Sequence, residues 1–332
     1  MLVKEIGEQG LLSIVQRFCP SEMVGDDAAI LSIPGDKSLV ITTDMLVDHV
    51  HFSDRTTSAF DVGWRCAAVN LSDLAAMGAF PFGITVALGI TENQTVDWVE
   101  QLYQGLTTCL NQYQTPILGG DICRSSVNCI SITAFGTVKP DFAIKRSVAR
   151  PGDVIVVTGY HGDSRAGLEL LLHPEVGSAL TPNQRLSLIQ AHQRPQPRLD
   201  VLPKLQNLFA SQPCIAIAGM DSSDGLADAI IQICRASQVG AQVQRNQIPL
   251  SEALQTCVNP QQAVNWALYG GEDFQLVLSL PKLLGEMLVQ HLGNTAAIIG
   301  EITSSTNVLL IDTESSTVEE LSLSRGFQHF LS

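Results

Sequence analysis

Apolar positions recur at helical spacing over residues 4–18, and Pro20 ends that run ahead of a Gly25-Asp26-Asp27 turn. A short strand is predicted over 28–33, and a second, rich in β-formers, over 38–43, ending at Asp44. Across 58–77 the residues Val62, Cys66, Val69, Leu74 and Met77 form a helical stripe, and Gly78 suits its stop. A strand over 81–90 and a helix over 96–113 follow, then strands over 115–118 and 129–138 on either side of Asp121. The segment 145–153, centred on Arg150-Pro151-Gly152, reads as a hinge. Beyond it the pattern predicts a strand over 153–158, a helix over 162–172, a strand over 215–218 leading to Asp221, a helix over 226–235 and a strand over 275–280. Strands and helices mixed in both halves predict an α/β (α+β) protein. A length of 332 residues predicts two domains, 1–148 and 149–332.

Charged residues make up only 16% of the chain, yet 33 acids against 19 bases leave a net charge of −14. A surface of that sign repels polyanions, which argues against nucleic acid and anionic membrane as partners. An anionic ligand would need cations or a few placed Arg and Lys beside it. No stretch of about 18 uncharged apolar residues is present to cross a bilayer. The first 18 residues interleave acids and bases and lack the apolar core of a signal peptide. Eight cysteines without a CxxC pair read as reduced thiols. A soluble cytoplasmic protein is expected.

Against this sparse background, aspartates stand in short small-residue motifs: Gly25-Asp26-Asp27, Thr42-Thr43-Asp44, Asn70-Leu71-Ser72-Asp73, Gly119-Gly120-Asp121 and Asp221-Ser222-Ser223-Asp224-Gly225. Singly, each reads as a turn or capping residue. Together they read as hard oxygen ligands for magnesium beside a polyphosphate. Asp73 near a predicted helix end opposes the dipole there, which weakens a purely structural reading. Asp121 follows two glycines that would leave the backbone bare for a phosphate. The stretch Gly159 to Gly167 resembles a phosphate loop without the Lys-Ser/Thr ending, and reads equally as a helix start. His49 and His51 would share one face at strand spacing, and Lys145, Arg146 and Arg165 are the bases nearest the acid motifs. No HExxH, EF-hand or protein-kinase signature occurs.

These motifs, in this order, resemble the thiamine-monophosphate kinase family over essentially the whole chain. The matching stretches are GDDAAI from Gly25, TTD from Thr42, NLSDLAAMGA from Asn70, GGD from Gly119, RSVARPGD from Arg146, TGYHGDSRAGL from Thr158, RPQPR from Arg194, DSSDGL from Asp221 and GGEDF from Gly270. The resemblance implies a two-domain fold like that of aminoimidazole ribonucleotide synthetase, with the N-terminal domain pairing in a homodimer and ATP bound near that interface. It implies transfer of the γ-phosphoryl group of ATP to thiamine monophosphate, with several Mg2+ ions and no phosphoenzyme. On this resemblance Asp27, Thr42, Thr43, Asp44, Asp73, Asp121, Asp221 and Asp224 are metal-binding positions. Gly120, Asp121, Arg146 and Ser223 are nucleotide contacts, and His51, Glu272 and Phe327 substrate contacts. Asp44, Asp121 and Arg146 are the expected catalytic residues.

Overall fold

The computed structural model describes residues 2–19, 33–209, 215–313 and 315–326. The strand expected over 28–33 lies outside these, apart from Ile33. The chain forms two compact units. One takes the residues up to 74 and 79–139; the other takes 75–78 and the chain from 140 onward.

The first unit contains α1 (Val3–Val15), β1 (Ser38–Val47), α2 (Ala59–Ala76), β2 (Phe80–Ile90), α3 (Val96–Asn111), β3 (Ile117–Arg124) and β4 (Cys129–Val138). Its sheet has the order β1-β4-β2-β3, with β2 and β3 parallel and the other neighbours antiparallel. Alternation gives the sheet two unlike faces. Ile84, Val86, Leu88, Ile130, Ile132 and Ala134 point to the buried face. On the other face of β1, Leu39, Ile41 and Met45 stand 41%, 57% and 53% exposed. Gly78 at φ +72° ends α2 as expected, because a left-handed residue is easiest for glycine. Thr95 caps α3 by accepting a hydrogen bond from the Trp98 amide at 3.2 Å.

Two strands run further than the sequence suggests. β1 continues three residues past Asp44 because pairing with β4 persists to Val47 opposite Cys129, with Leu46 buried. Asp44 is therefore inside a strand and not at its end. β3 continues through Gly119-Gly120-Asp121 to Arg124, since parallel pairing with β2 outweighs the turn tendency of two glycines. Gly120 is required by that pairing itself: a Cβ there would lie 2.0 Å from the Val86 carbonyl oxygen.

The second unit holds β5 (Asp153–Val157), α4 (Asp163–Leu172), α5 (Pro182–Gln193), α6 (Val201–Phe209), β6 (Ala218–Asp221), α7 (Leu226–Ser237) and β7 (Gly240–Gln244). It continues with α8 (Glu252–Cys257), α9 (Pro260–Tyr269), β8 (Leu276–Pro281), α10 (Lys282–Leu292), β9 (Ala297–Thr303), β10 (Val308–Asp312) and β11 (Thr317–Glu320). The seven-stranded sheet has the order β11-β10-β7-β9-β5-β8-β6. β5, β6 and β8 are buried on both faces, so no alternation of apolar and polar positions marks them. The α7 stripe of Leu226, Ile230, Ile233 and Cys234 joins Val157, Met220 and Val277 in the core.

Candidate active site

In the first unit a polar seam joins β1 to α2. The Thr42 hydroxyl donates to Asp73 Oδ2, and the Asp44 amide donates to Asn70 Oδ1 at 3.1 Å. Asn70, fully buried, donates from Nδ2 to the Cys66 carbonyl at 3.0 Å. Thr42, Asp44, Asn70 and Asp73 are thus drawn to one place by one bond between side chains and one from main chain to side chain. Their hydroxyl, carboxylate and amide oxygens are hard donors of the kind magnesium prefers. Thr43, one step along the strand, faces the other way and shares a hydrogen bond with Thr133 at 2.9 Å.

Asp121 is elsewhere on the same sheet. The cross-strand row of Asp44 is Ile132, Val86 and Gly120, whereas Asp121 shares its row with Ala87, Ser131 and Met45. Asp44 and Asp121 therefore sit on opposite edge strands, three strand spacings or about 14 Å apart, with side chains on opposite faces. Among the described residues no three His, Cys, Asp or Glu side chains converge to hold a metal. Asp26, Asp27 and Phe327 lie outside the described residues.

His51 does not share a strand with His49, as the spacing suggested. β1 stops at Val47, and His49 takes φ +64° in the turn that follows. The turn instead brings His51 back, so that its Nδ1 accepts from the Val47 amide at 3.0 Å. The imidazole is then neutral with its proton on Nε2, a donor fit for an anionic ligand.

In the second unit β6 delivers Asp221, 3% exposed, whose Oδ1 accepts from Ser223 Oγ at 3.1 Å. Asp224 follows on the surface, and Gly225 at φ +106° turns the chain into α7. A Cβ on Gly225 would lie 2.7 Å from the Leu268 carbonyl, so the turn needs glycine. Beside it runs the 270–274 loop: the Glu272 amide donates to the Ser223 carbonyl at 2.6 Å. Gly271, Glu272 and Phe274 have φ of +69°, +60° and +50°. Left-handed backbone at two residues with a Cβ is strain held by the surrounding structure, of a kind that clusters at functional sites.

Of the three bases near the acid motifs, Arg165 pairs with Glu169 one turn along α4. Arg146 stands exposed in a 3-10 turn whose backbone is pinned by the Ser237 hydroxyl, which donates to the Arg146 carbonyl at 2.7 Å. Lys145 is also exposed.

The loop before α4 is no open phosphate cradle. The Gly162 and Ser164 amides donate to Asp273 Oδ2 and Oδ1 at 2.7 and 3.0 Å, so the helix N-terminus already holds a carboxylate of its own chain. Burial pushes the Asp273 carboxyl up to about 8, against the two amides that favour its anion, with Asp163 and Glu272 adding to the rise. Burial likewise raises Asp163 to about 6, opposed by the Ser251 hydroxyl that donates to it at 2.6 Å. His161, fully buried, is held neutral: desolvation lowers it to about 4. The RPQPR motif also finds its role here, as Arg198 donates to the Thr158 carbonyl and to Gln275 Oε1 and pairs with Asp200. The sequence held no signal for the Asp273 cap, because the partners are 111 and 109 residues apart.

Two family descriptions match in tandem: AIR synthase related protein, N-terminal domain, over residues 25–138, and AIR synthase related protein, C-terminal domain, over 150–312. A thiamine-monophosphate kinase from Synechococcus elongatus is 49% identical over 328 residues, 99% of this chain and 98% of its own. The thiamine-monophosphate kinase of Escherichia coli K12 is 37% identical over 92% of this chain and 91% of its own. Among solved structures, AaThiL complexed with AMPPCP and TMP superposes with a TM-score of 0.74 at 33% identity, over 93% of this chain and 95% of that one. The hydrogenase maturation protein HypE in complex with ATP has a TM-score of 0.77 at 20% identity over 97% of each chain, a likeness of fold alone. With both domains matched in order and relatives aligned along nearly the whole length, the chain belongs to the thiamine-monophosphate kinase family of AIR synthase-related proteins.

Proposed function

We propose that the protein transfers the γ-phosphoryl group of ATP directly, in line, to thiamine monophosphate, giving thiamine diphosphate. The observation that carries this reading is the full-length similarity to a relative solved with a nucleotide analogue and TMP together. Asp27, Thr42, Thr43, Asp44, Asp73, Asp121, Asp221 and Asp224 would hold magnesium, and the Thr42, Asp44 and Asp73 seam supports this by the hardness of its donors. When bound, magnesium neutralises charge on the phosphates. Phosphoryl transfer otherwise asks a protein mainly for position and counter-charge. Gly120 and Ser223 would contact the nucleotide, and the exposed Arg146 guanidinium would supply a fixed positive charge to a phosphate. His51, Glu272 and Phe327 would contact thiamine monophosphate, His51 through its Nε2 proton. A phosphate oxygen is itself the nucleophile and needs no strong base at neutral pH. Incubation with thiamine monophosphate, ATP and magnesium is expected to yield thiamine diphosphate, with none from free thiamine and none with EDTA. ATP consumption without that product would overturn the reading.

The same reading includes a homodimer formed through the first unit. The row of Leu39, Ile41 and Met45 is a large apolar strip on an edge strand, the kind of surface a monomer rarely leaves in water. Asp44 and Asp121 stand on opposite edge strands with side chains on opposite faces, which in this reading takes them to one site from different copies. In this reading β1 of one copy lies near β3 of the other, so that Asp44 of one copy and Asp121 of the second serve one site. Ile41→Arg places a charge in that strip and is expected to give a monomer by light scattering. A variant as dimeric as the parent would remove this face from the interface. Free thiols at all seven described cysteines support placing the enzyme in a reducing compartment; among the described residues no helix is long and apolar enough to cross a membrane.

A further inference from the structure

We propose that Asp273 and His192 are positioning residues for substrate recognition, Asp273 holding the main chain of the 270–274 loop and His192 the side chain of Glu272. The inference rests on the reading of Glu272 as a substrate contact. The loop is an uncommon one: Gly271, Glu272 and Phe274 all lie in left-handed backbone, a conformation that relaxes unless something holds it. Three anchors hold it. The Glu272 amide is bonded to the Ser223 carbonyl, Phe274 is buried at 3% exposure, and both Asp273 carboxyl oxygens are seated on the amides that open α4. Residues 272 and 273 thus point opposite ways. Asp273 is buried in the protein, while the Glu272 side chain is 36% exposed.

The second hold comes from α5. His192 is 3% exposed, and its Nδ1 lies 3.3 Å from Ser164 Oγ and 3.7 Å from Glu272 Oε2. Ser164 is the residue whose amide binds Asp273, so the two holds share one support at the start of α4. Glu272 is thus placed by the loop that Asp273 anchors, with its carboxylate beside His192. A carboxyl group suits position 273 because two N–H donors converge on two acceptors. In Asp273→Asn one amide would face an NH2 group instead.

The test compares Glu272→Gln, Asp273→Asn, His192→Gln and the double variants that combine each of the last two with Glu272→Gln, measuring KM for thiamine monophosphate and for ATP separately. Asp273→Asn is expected to raise KM for thiamine monophosphate about tenfold with KM for ATP within about twofold, a split that general loosening would not produce. His192→Gln is expected to act in the same direction, and it carries the test if Asp273→Asn does not fold. In the Glu272→Gln background both effects should shrink to within about twofold, since holders of a missing group have nothing to hold. Equal rises for both substrates, or full effects persisting without Glu272, would overturn the proposal. Glu272→Gln with an unchanged KM for thiamine monophosphate would remove the Glu272 contact itself, a separate failure.

Discussion

Asp44→Asn is expected to lower turnover by about a hundredfold to a thousandfold with the fold intact. The substitution keeps volume and shape, and the backbone bond from residue 44 to Asn70 does not involve the altered atoms. What it removes is one negative charge from the Thr42, Asp44 and Asp73 seam. Two unit charges 4 Å apart at an effective dielectric constant of 20 interact by about 4 kcal/mol, which bounds the loss near a thousandfold. Turnover within about twofold of the parent would exclude Asp44 from the reaction. A stronger form of the experiment uses the sheet geometry. If each site takes Asp44 from one copy and Asp121 from the other, co-expressed Asp44→Asn and Asp121→Asn chains pair at random into mixed dimers in about half of cases, each with one intact site of two. About a quarter of parental activity should return from two inactive chains. No recovery in demonstrably mixed dimers would place both aspartates of a site in one copy or dissociate them altogether.

Gly105→Ala is expected to destabilise the first unit by about 3 kcal/mol and lower its melting temperature by on the order of 10 °C. The direction runs against helix propensity, by which alanine in a helix interior gains about 1 kcal/mol over glycine. Packing decides the sign. A Cβ on Gly105 would lie 1.8 Å from the Phe60 carbonyl oxygen, and one on Gly63 would lie 1.8 Å from the Leu102 carbonyl oxygen. The glycines thus sit where α2 and α3 touch backbone to backbone, so neither clash can be relieved by a side-chain rotation. Accommodating a methyl group requires the helices to part by more than an ångström, which opens voids among Leu102, Leu106 and their buried neighbours. Gly35→Ala, where an added Cβ meets nothing within 4 Å, is the control and should change stability by no more than about 0.5 kcal/mol. Thermal unfolding of the three proteins checks this, and a Gly105→Ala protein as stable as the Gly35→Ala control would contradict the packing.

Local periodicity was enough to read elements whose apolar spacing is set within a few residues. The α2 stripe and the β4 strand fall at or within a residue of their expected ends, because helix and strand patterns repeat over distances shorter than the element itself. The acid motifs, their small neighbours and the family they resemble were likewise present in the linear order of residues, since hard-ligand chemistry is a property of side-chain type. Which acids stand together was not. Thr42-Thr43-Asp44 reads as one cluster, but strand alternation turns Thr43 away, and pairing with β4, 80 or more residues on, decides that Asp44 is inside the sheet. Asp121 looked like a neighbour of Asp44 and lies across the sheet from it, a matter of strand order that no local pattern records. The loop before α4 looked open to a phosphate until Asp273 was seen to occupy it from 111 residues away. By itself the sequence determined the family and the strongly periodic elements of the first unit. Only the tertiary structure decided faces, edges and caps, because those depend on partners distant in the chain, brought close by burying apolar surface over the whole of each unit.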